Sequence, residues 1–276
     1  MRRYEGMVVT KSVPNSTEAQ RRRFQPLEGA INFRDVGGYK TTGGREVKWN
    51  VLFRSGALSR LTDDDLTMLS SLDIELLVDL RAQSEQEHAP NRLPPKKKPD
   101  VVNLPIWPVA TTKVERWLLA GGISEYQPKD NEGVPDTPSA MRNFYQSYVR
   151  DHRWQWSTLL HRLAGGTTRR ALLHCAGGKD RTGVGIAVLL RALGVPQETV
   201  IEDYLLTNLV IDRWILEDHP EGVPSFLRSV MAADQSYVEA AFAYIDMVFG
   251  SFDNYLREGL NFTDSKREML CKAYLT

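Results

Sequence analysis

Two short runs of almost continuous apolar residues stand out in the hydropathy pattern of the chain. The first covers residues 74–81 and the second residues 171–173. Runs of this kind are typical of parallel strands that are covered by helices on both faces. We therefore predict an α/β fold with a central, mostly parallel sheet flanked by helices.

Further segments extend the alternation of strands and helices. Residues 51–55 and 101–106 are predicted to be strands. A helix is predicted to start after Thr62, whose side chain is a good N-cap and is followed by acids in the first turn. Apolar residues at helical spacing predict the remaining helices, including several after the second apolar run, at 141–163, 184–193, 196–208, 236–249 and 252–276.

Three segments do not fit this alternation. Residues 1–28 are polar and are predicted to form an N-terminal arm whose arginines are solvated, ahead of one main domain at 29–276. Residues 107–140 are rich in glycine, proline and polar residues, which predicts an insertion or a mobile flap. Residues 39–48 have the turn residues of a small hairpin.

The composition limits the cellular compartments and the classes of binding partner that we expect for this protein. The 276 residues include 35 basic and 35 acidic side chains, so the net charge indicates neither a nucleic-acid nor a membrane partner. The two cysteines, Cys175 and Cys271, are too few for a disulfide framework, which favours a reducing compartment. No secretion-signal pattern and no apolar run of membrane-spanning length occur. We expect a cytoplasmic protein, with non-classical secretion left open.

The second apolar run leads into the segment with the richest chemistry. A buried strand, a glycine-containing loop and a helix N-terminus form a geometry that binds anions, because the backbone N–H groups of the loop and first turn have no other partners. The segment consists of His174, Cys175, Ala176, Gly177, Gly178, Lys179, Asp180, Arg181 and Thr182.

The side chains of this loop favour phosphoryl chemistry. The loop amides and the helix dipole favour the thiolate form of Cys175. Arg181 can bind two oxygens of a phosphoryl group, and Gly177 and Gly178 let the backbone N–H groups converge on the same oxygens. The hydroxyl of Thr182 is placed to donate a hydrogen bond to the sulfur when it becomes the leaving group. This set predicts phosphoryl transfer to a cysteine.

Three other interpretations explain the loop less well. A buried structural cysteine does not account for Lys179 and Arg181 beside it. A nucleotide-binding loop needs glycine at the position of Leu173 and Ser or Thr at the position of Asp180. A sulfur-transfer loop also carries a reactive cysteine but does not resemble the Cys-x5-Arg-Thr-Gly pattern. Phosphoryl transfer to Cys175 therefore remains the preferred interpretation.

Two segments of the chain resemble a known family. The residues from His174 to Gly183 resemble the signature loop of the cysteine-dependent protein tyrosine phosphatases, and most closely the HCxxGKDRTG form of bacterial and fungal tyrosine/serine phosphatases. Residues 31–39 are similar to a second segment of that family. The resemblance implies a protein-tyrosine-phosphatase-like fold and activity on phosphotyrosine, and in some members on phosphoserine, phosphothreonine or phosphoinositides. A secreted mycobacterial member has a helical lid, whose counterpart would fall near 209–235.

The expected mechanism starts with attack of the Cys175 thiolate on phosphorus and ends with hydrolysis of the cysteinyl-phosphate by water. Arg181, Lys179 and the loop amides would stabilise the developing charge. This chemistry needs no cofactor, and the five histidines show no metal-ligand spacing. A phosphate ion is expected to fit the loop.

A carboxylic acid must also protonate the leaving oxygen, and two candidates are open. Asp180 lies inside the loop, where the family is proposed to carry its acid, and is preferred. Asp79 ends the first apolar run, but it can instead form a salt bridge with Arg81 or Arg54. His174 and Asn32 are expected to brace the site through hydrogen bonds.

The substrate leaves three hypotheses. The first is a protein-tyrosine or dual-specificity phosphatase, and the second is a phosphatase for a small molecule or a phosphoinositide. Lys179 resembles the lysine of lipid phosphatases that binds a second phosphate, but Ala176 stands where such enzymes often have another lysine. The third is a phosphate-binding module without turnover, against which the intact Cys175, Asp180 and Arg181 argue.

Overall fold

A five-stranded sheet forms the centre of the protein. The computed structural model describes residues 17–25, 27–119, 136–165, 167, 169–211, 215, 223, 228 and 230–276. The strand order is β1-β2-β5-β3-β4; β1 is antiparallel to β2, and the other neighbours are parallel. The strands are β1 (Arg34–Asp35), β2 (Leu52–Ser55), β3 (Leu76–Asp79), β4 (Asp100–Asn103) and β5 (Ala171–His174). The predicted mostly parallel α/β sheet is confirmed.

Helices flank this sheet. In the part of the chain that the structure describes, no helix is long and apolar enough to cross a membrane. In chain order they are α1 (Glu18–Arg23), α2 (Asp63–Ser71), α3 (Gln83–His88), α4 (Lys113–Leu119), α5 (Thr137–Asp151), α6 (Arg153–Leu163), α7 (Asp180–Ala192), α8 (Gln197–Leu205), α9 (Gln235–Phe249) and α10 (Asp264–Tyr274). A 3₁₀ turn (Leu206–Leu209) follows α8, and a short helix (Phe252–Asn254) with a π turn (Tyr255–Gly259) precedes α10.

Alternate residues of the strands are buried in two separate cores. Phe53, Leu172 and Leu77 lie in register across three strands and pack with α2. The residues on the opposite face, such as Leu173 and Val78, pack with α5 to α10. Burial of one such side chain contributes about 1.5–3 kcal/mol, so the covered sheet has a stable interior from which the strand ends project their polar residues.

The helix boundaries agree only in part with those predicted from local sequence signals. The Thr62 hydroxyl accepts from the N–H of Asp65 at 3.2 Å, and the Asp65 carboxylate accepts from the N–H of Thr62 at 3.0 Å, which confirms the predicted start of α2. The single helix predicted at 141–163 is wrong in its extent. It is divided at His152, and its first half begins earlier because Asp136 caps α5.

The N-terminal arm is better anchored than its polar composition indicates. Residues 1–16 lie outside the described residues, but Arg23 at the end of α1 is buried. Its guanidinium donates to the carbonyl of Gly37 and lies 3.8 Å from the centre of the Tyr39 ring. The expectation that the arm's arginines are solvated is therefore wrong for Arg23, because a cation–π contact and a hydrogen bond replace water.

The predicted flap at 107–140 contains regular structure at both ends. Its first part forms α4, and its last residues begin α5, while 120–135 lie outside the described residues. Glu115 of α4 is buried and accepts a hydrogen bond of 2.7 Å from the side-chain nitrogen of Asn143 on α5. This contact attaches α4 to the domain.

Most of the predicted lid at 209–235 also lies outside the described residues. Within it, Ile211, Ile215 and Met231 are buried against one another. The helices that follow, α9 and α10, contribute to the main core beside the sheet, so they are part of the domain itself.

Candidate active site

The chain turns sharply between β5 and α7, in a segment that we call the Cys175 loop (residues 175–180). β5 ends at His174, and α7 begins at Asp180 with Lys179 in the N-cap position. No side chain caps this helix, so the N–H groups of its first turn are left for another acceptor. With the positive end of the helix dipole, this loop has the backbone geometry of an anion site.

The curvature of the loop depends on Gly178. Its φ is +65°, and a Cβ atom there would lie 2.6 Å from the backbone of Ser55 and Gly56. The Gly178 carbonyl accepts hydrogen bonds from Asn32 Nδ2 at 2.9 Å and Arg54 Nη2 at 2.7 Å. The loop is thus packed directly on the end of β2 and braced from the side, and the bracing role expected for Asn32 is present in the structure.

A buried ion cluster supports this brace. Asp203 of α8 accepts from Arg34 Nε at 3.3 Å, from the Tyr39 hydroxyl at 2.9 Å and from Arg54 Nη1 at 2.7 Å. Burial alone would raise the pKa of Asp203, but the two arginines more than offset it and lower the value to about 2. Because two arginines share this one carboxylate among the described residues, the cluster leaves positive charge near the loop.

Arg181 is held in place by a second, half-buried ion pair. Its Nη1 and Nη2 atoms donate to the two carboxylate oxygens of Glu85 on α3, at 2.5 and 2.9 Å. Burial lowers the pKa of Arg181, but Glu85 and Cys175 raise it by more, so the guanidinium is charged. Glu85 occupies one edge of the fork, and the Nε–Nη2 edge can still bind two phosphoryl oxygens.

Asp180 stands at the first position of α7, with its side chain 28% exposed. Its Oδ1 atom accepts from the Tyr145 hydroxyl at 2.7 Å and lies 3.2 Å from Lys179 Nζ. The carboxyl group is therefore oriented by two donors and also lines the cleft described below.

Asp79 forms a salt bridge with Arg81, as in the alternative considered for it above. Arg81 Nε and Nη2 donate to its carboxylate at 3.0 and 2.8 Å, and Asn91 Nδ2 donates at 2.9 Å. Burial raises the pKa of Asp79, but His174 and Arg81 outweigh this effect, and the net pKa lies below its usual range. A buried, ionised carboxylate with these partners has no proton to give at neutral pH.

His174 lies between the end of β5 and the Cys175 loop. Its Nδ1 atom makes a hydrogen-bond contact of 3.3 Å with the Cys175 carbonyl oxygen. Its Nε2 atom lies 3.4 Å from Asp79 Oδ2 but has no hydrogen-bond partner among the described residues. The register pairs His174 directly with Asp79, so both residues stand at the same sheet edge. These contacts link the start of the Cys175 loop to β3.

Lys179 is buried, and its ammonium group faces oxygens of the protein. Nζ donates to the carbonyls of Val230 at 2.5 Å and Ala232 at 3.2 Å, in addition to its contact with Asp180. An ammonium group has three N–H donors, and these three oxygens match that number. The expected phosphate contact of Lys179 therefore competes with contacts to the segment before α9.

Cys175 and Thr182 are both buried in the loop–helix junction. Among the described residues, the Thr182 hydroxyl has no hydrogen-bond partner. A buried hydroxyl without a partner costs roughly 1–3 kcal/mol, so its retention fits a group whose partner appears only during a reaction.

A cleft of about 380 Å³ adjoins the loop. Asp180, Arg181, Lys179 and Glu85 supply its polar wall. The rest of its wall is apolar and consists of Trp107, Pro108, Leu118, Leu119, Met141, Phe144, Tyr148, Val230 and Met231. A cleft of this size, lined by a few charged groups and many apolar side chains, fits a small ligand that has an apolar body and an anionic head.

The structure brings the predicted residues Cys175, Lys179, Asp180 and Arg181 together and adds partners that the sequence interpretation missed. Glu85, Tyr145 and Asp203 are far from the loop in sequence but contact it or its braces. Asp203 did leave a signal, since it is an acid on the apolar face of α8, beside Val200 and Tyr204. Glu85 and Tyr145 carried none, because polar residues early in a helix and tyrosines in a core are ordinary.

Comparison with known proteins agrees with this geometry. A family model described as the tyrosine phosphatase family matches residues 25–276. The triple specificity protein phosphatase PtpB of Mycobacterium tuberculosis is 31% identical over 265 residues, which cover 84% of this chain and 92% of that protein. A protein of Cupriavidus necator, provisionally named a tyrosine-protein phosphatase, is 28% identical over 260 residues, covering 91% and 89%. The chain belongs to the tyrosine phosphatase family and is a phosphatase of that class.

Proposed function

We propose that this phosphatase hydrolyses aryl phosphomonoesters, above all phosphotyrosine, through a cysteinyl-phosphate on Cys175 and without a metal ion. The observation that carries the proposal is that Lys179 and Asp180 of the Cys175 loop, together with Arg181, line a cleft whose remaining wall is mostly apolar. A phosphate dianion would be bound by the loop amides, the α7 N-terminus and the free edge of Arg181. The apolar wall would then surround the group esterified to the phosphate.

In the first step, the Cys175 sulfur forms a bond to phosphorus while the bond from phosphorus to the ester oxygen breaks. Arg181 and the loop amides stabilise the charge on the three equatorial oxygens, since they are in place before the reaction starts. The leaving oxygen takes a proton from Asp180. We assign the acid to Asp180 rather than Asp79, because Asp180 lines the cleft whereas Asp79 is buried and bound by Arg81.

In the second step, water attacks phosphorus and the bond to sulfur breaks, which releases inorganic phosphate and the Cys175 thiolate. Asp180, now ionised, accepts the proton of that water. The unpartnered hydroxyl of Thr182 is the group we assign to stabilise the departing sulfur. Each group therefore returns to its starting state.

The lining of the cleft supports an aromatic leaving group. Aromatic and aliphatic side chains favour a ring over a sugar or an inositol, whose hydroxyls would lose hydrogen bonds to water without gaining others. The engagement of Lys179 by two carbonyls and Asp180 argues against a second phosphate at that position. A relative bears the name triple specificity protein phosphatase, so substrates other than phosphotyrosine belong in the test.

The test is hydrolysis of para-nitrophenyl phosphate in EDTA by the wild type, Cys175→Ser and Asp180→Asn. Cys175→Ser should abolish turnover. Cys271→Ser removes the second cysteine of the protein, which lies on α10, and should not change turnover. Phosphate release in a single turnover, with isolation of the phosphorylated cysteine after acid quench, identifies the intermediate. Turnover that survives Cys175→Ser, or that requires a metal ion, would overturn the mechanism.

Substrate preference is measured with the same protein on phosphotyrosine, phosphoserine and phosphothreonine peptides of one sequence, and on inositol phosphates. We expect the highest kcat/KM for phosphotyrosine. A higher value for an inositol phosphate would refute the aryl assignment and leave the cysteine mechanism intact.

A further inference from the structure

Tyr145 of α5 is fully buried, yet its hydroxyl makes two hydrogen-bond contacts. It donates to Asp180 Oδ1 at 2.7 Å and lies 2.7 Å from the hydroxyl of Tyr204 on α8. Burial, followed by the Asp180 carboxylate, raises the pKa of Tyr145 well above its usual value, so the hydroxyl keeps its proton. Since that one proton goes to Asp180, Tyr204 donates to Tyr145. The three side chains form a hydrogen-bond chain in which Tyr204 donates to Tyr145 and Tyr145 donates to Asp180.

The two oxygens of Asp180 are consequently not equivalent. Oδ1 accepts from Tyr145 and is 3.2 Å from the Lys179 ammonium group. Oδ2 has no hydrogen-bond donor among the described residues. A carboxyl proton on Oδ1 would displace donors that are fixed by burial, whereas a proton on Oδ2 displaces none.

We propose that Tyr145 is a positioning residue that fixes Asp180 through Oδ1, so that Oδ2 carries the transferable proton. This inference rests on the proposed role of Asp180 as the general acid. In the first step the Oδ2–H bond breaks and a new O–H bond forms on the leaving oxygen, while Tyr145 keeps its own proton. In the second step Oδ2 takes a proton from water, and the Tyr145–Oδ1 hydrogen bond persists throughout.

The functional consequence concerns leaving groups rather than binding. A correctly oriented acid matters when the leaving oxygen is strongly basic, as in phenyl phosphate, and matters little for dinitrophenyl phosphate, whose leaving group departs without a proton. Loss of the Tyr145 hydroxyl should therefore lower kcat/KM selectively for poor leaving groups. A residue that only stabilised the fold would change both substrates equally.

The experiment compares Tyr145→Phe with Tyr255→Phe on the two substrates. Tyr255 is a matched control, because it is also fully buried and its hydroxyl also contacts α5, donating to the Val149 carbonyl at 2.9 Å. We expect Tyr145→Phe to lower kcat/KM for phenyl phosphate roughly ten- to hundredfold, with less than about a twofold change for dinitrophenyl phosphate. Tyr255→Phe should show no such selectivity. An equal loss on both substrates in Tyr145→Phe would overturn the proposal.

Asp180→Asn separates this inference from the proposed function. If Asp180→Asn shows no selective loss on phenyl phosphate, the acid role of Asp180 and the positioning role of Tyr145 both fail, while the cysteine mechanism stands on its own test. If Asp180→Asn is selective but Tyr145→Phe is not, only the role of Tyr145 fails. In the double variant, Tyr145→Phe should add no further selectivity, because the acid it positions is already absent.

Tyr204→Phe tests the same hydrogen-bond chain at the residue farthest from Asp180. It removes the donor to Tyr145 but leaves the hydrogen bond on Asp180, so it should give a smaller loss with the same leaving-group selectivity. This variant keeps the proposal testable if Tyr145→Phe does not fold. Full activity of Tyr204→Phe on phenyl phosphate would contradict the chain.

Discussion

Replacement of Asp203 by Asn would test the buried ion cluster that braces the Cys175 loop. The substitution keeps the shape of the side chain but removes the negative charge shared by Arg34 and Arg54. Both guanidinium groups are fully buried, so neither can recover its lost partner from water. Arg54 also donates to the Gly178 carbonyl, so the change should loosen the loop as well as the fold.

The magnitude follows from two independent arguments. A lowering of the Asp203 pKa from 3.8 to about 2 corresponds to roughly 2–3 kcal/mol of stability at neutral pH. Removal of one partner from a buried ion pair typically costs about 3–5 kcal/mol, because the remaining charge is left uncompensated. We therefore expect Asp203→Asn to lower the free energy of unfolding by about 2–5 kcal/mol and the Tm by roughly 4–20 °C.

Urea unfolding at neutral pH, followed by tryptophan fluorescence, measures this loss. Asp264→Asn is the matched control: its salt bridge with Arg257 is 3.2 Å long, but its carboxylate is 73% exposed. The control should lose less than about 1 kcal/mol. If Asp203→Asn loses no more than the control, the cluster contributes no net stability and the reasoning from burial is refuted.

Three further predictions concern the loop and acid pH. Glu85→Gln removes the charged partner that orients Arg181, so kcat/KM for aryl phosphates should fall roughly tenfold with little change in Tm, and unchanged kinetics would contradict this role. Gly178→Ala should abolish turnover, whereas Gly44→Ala, at φ +80° with open space around it, should keep full activity and lose only about 1–2 kcal/mol. Because the Asp203 pKa is depressed, its stabilisation is present above 3.8 and is lost as pH falls towards 2, so acid unfolding curves of Asp203→Asn should be shallower in that range.

The sequence by itself determined the local parts of this protein. The two apolar runs predicted central strands, Thr62 predicted the start of α2, and the Cys-x5-Arg segment predicted a strand, an anion-binding loop and a helix. These features arise from interactions between residues close together in the chain, such as caps, turns and the alternation of buried faces. They could therefore be inferred from one sequence without any partner.

Only the tertiary structure decided how the loop residues and Arg181 are held and which of the two candidate carboxyl groups lines the cleft. Glu85 lies 96 residues from Arg181, and Tyr145 lies 35 residues from Asp180, so no local pattern links them. Asp180 was preferred to Asp79 as the candidate acid from the sequence, but only the fold shows that Asp79 is buried against Arg81 and that Asp180 lines the cleft. The chemistry of a carboxyl group depends on its burial and its partners, and both are set by packing between distant segments.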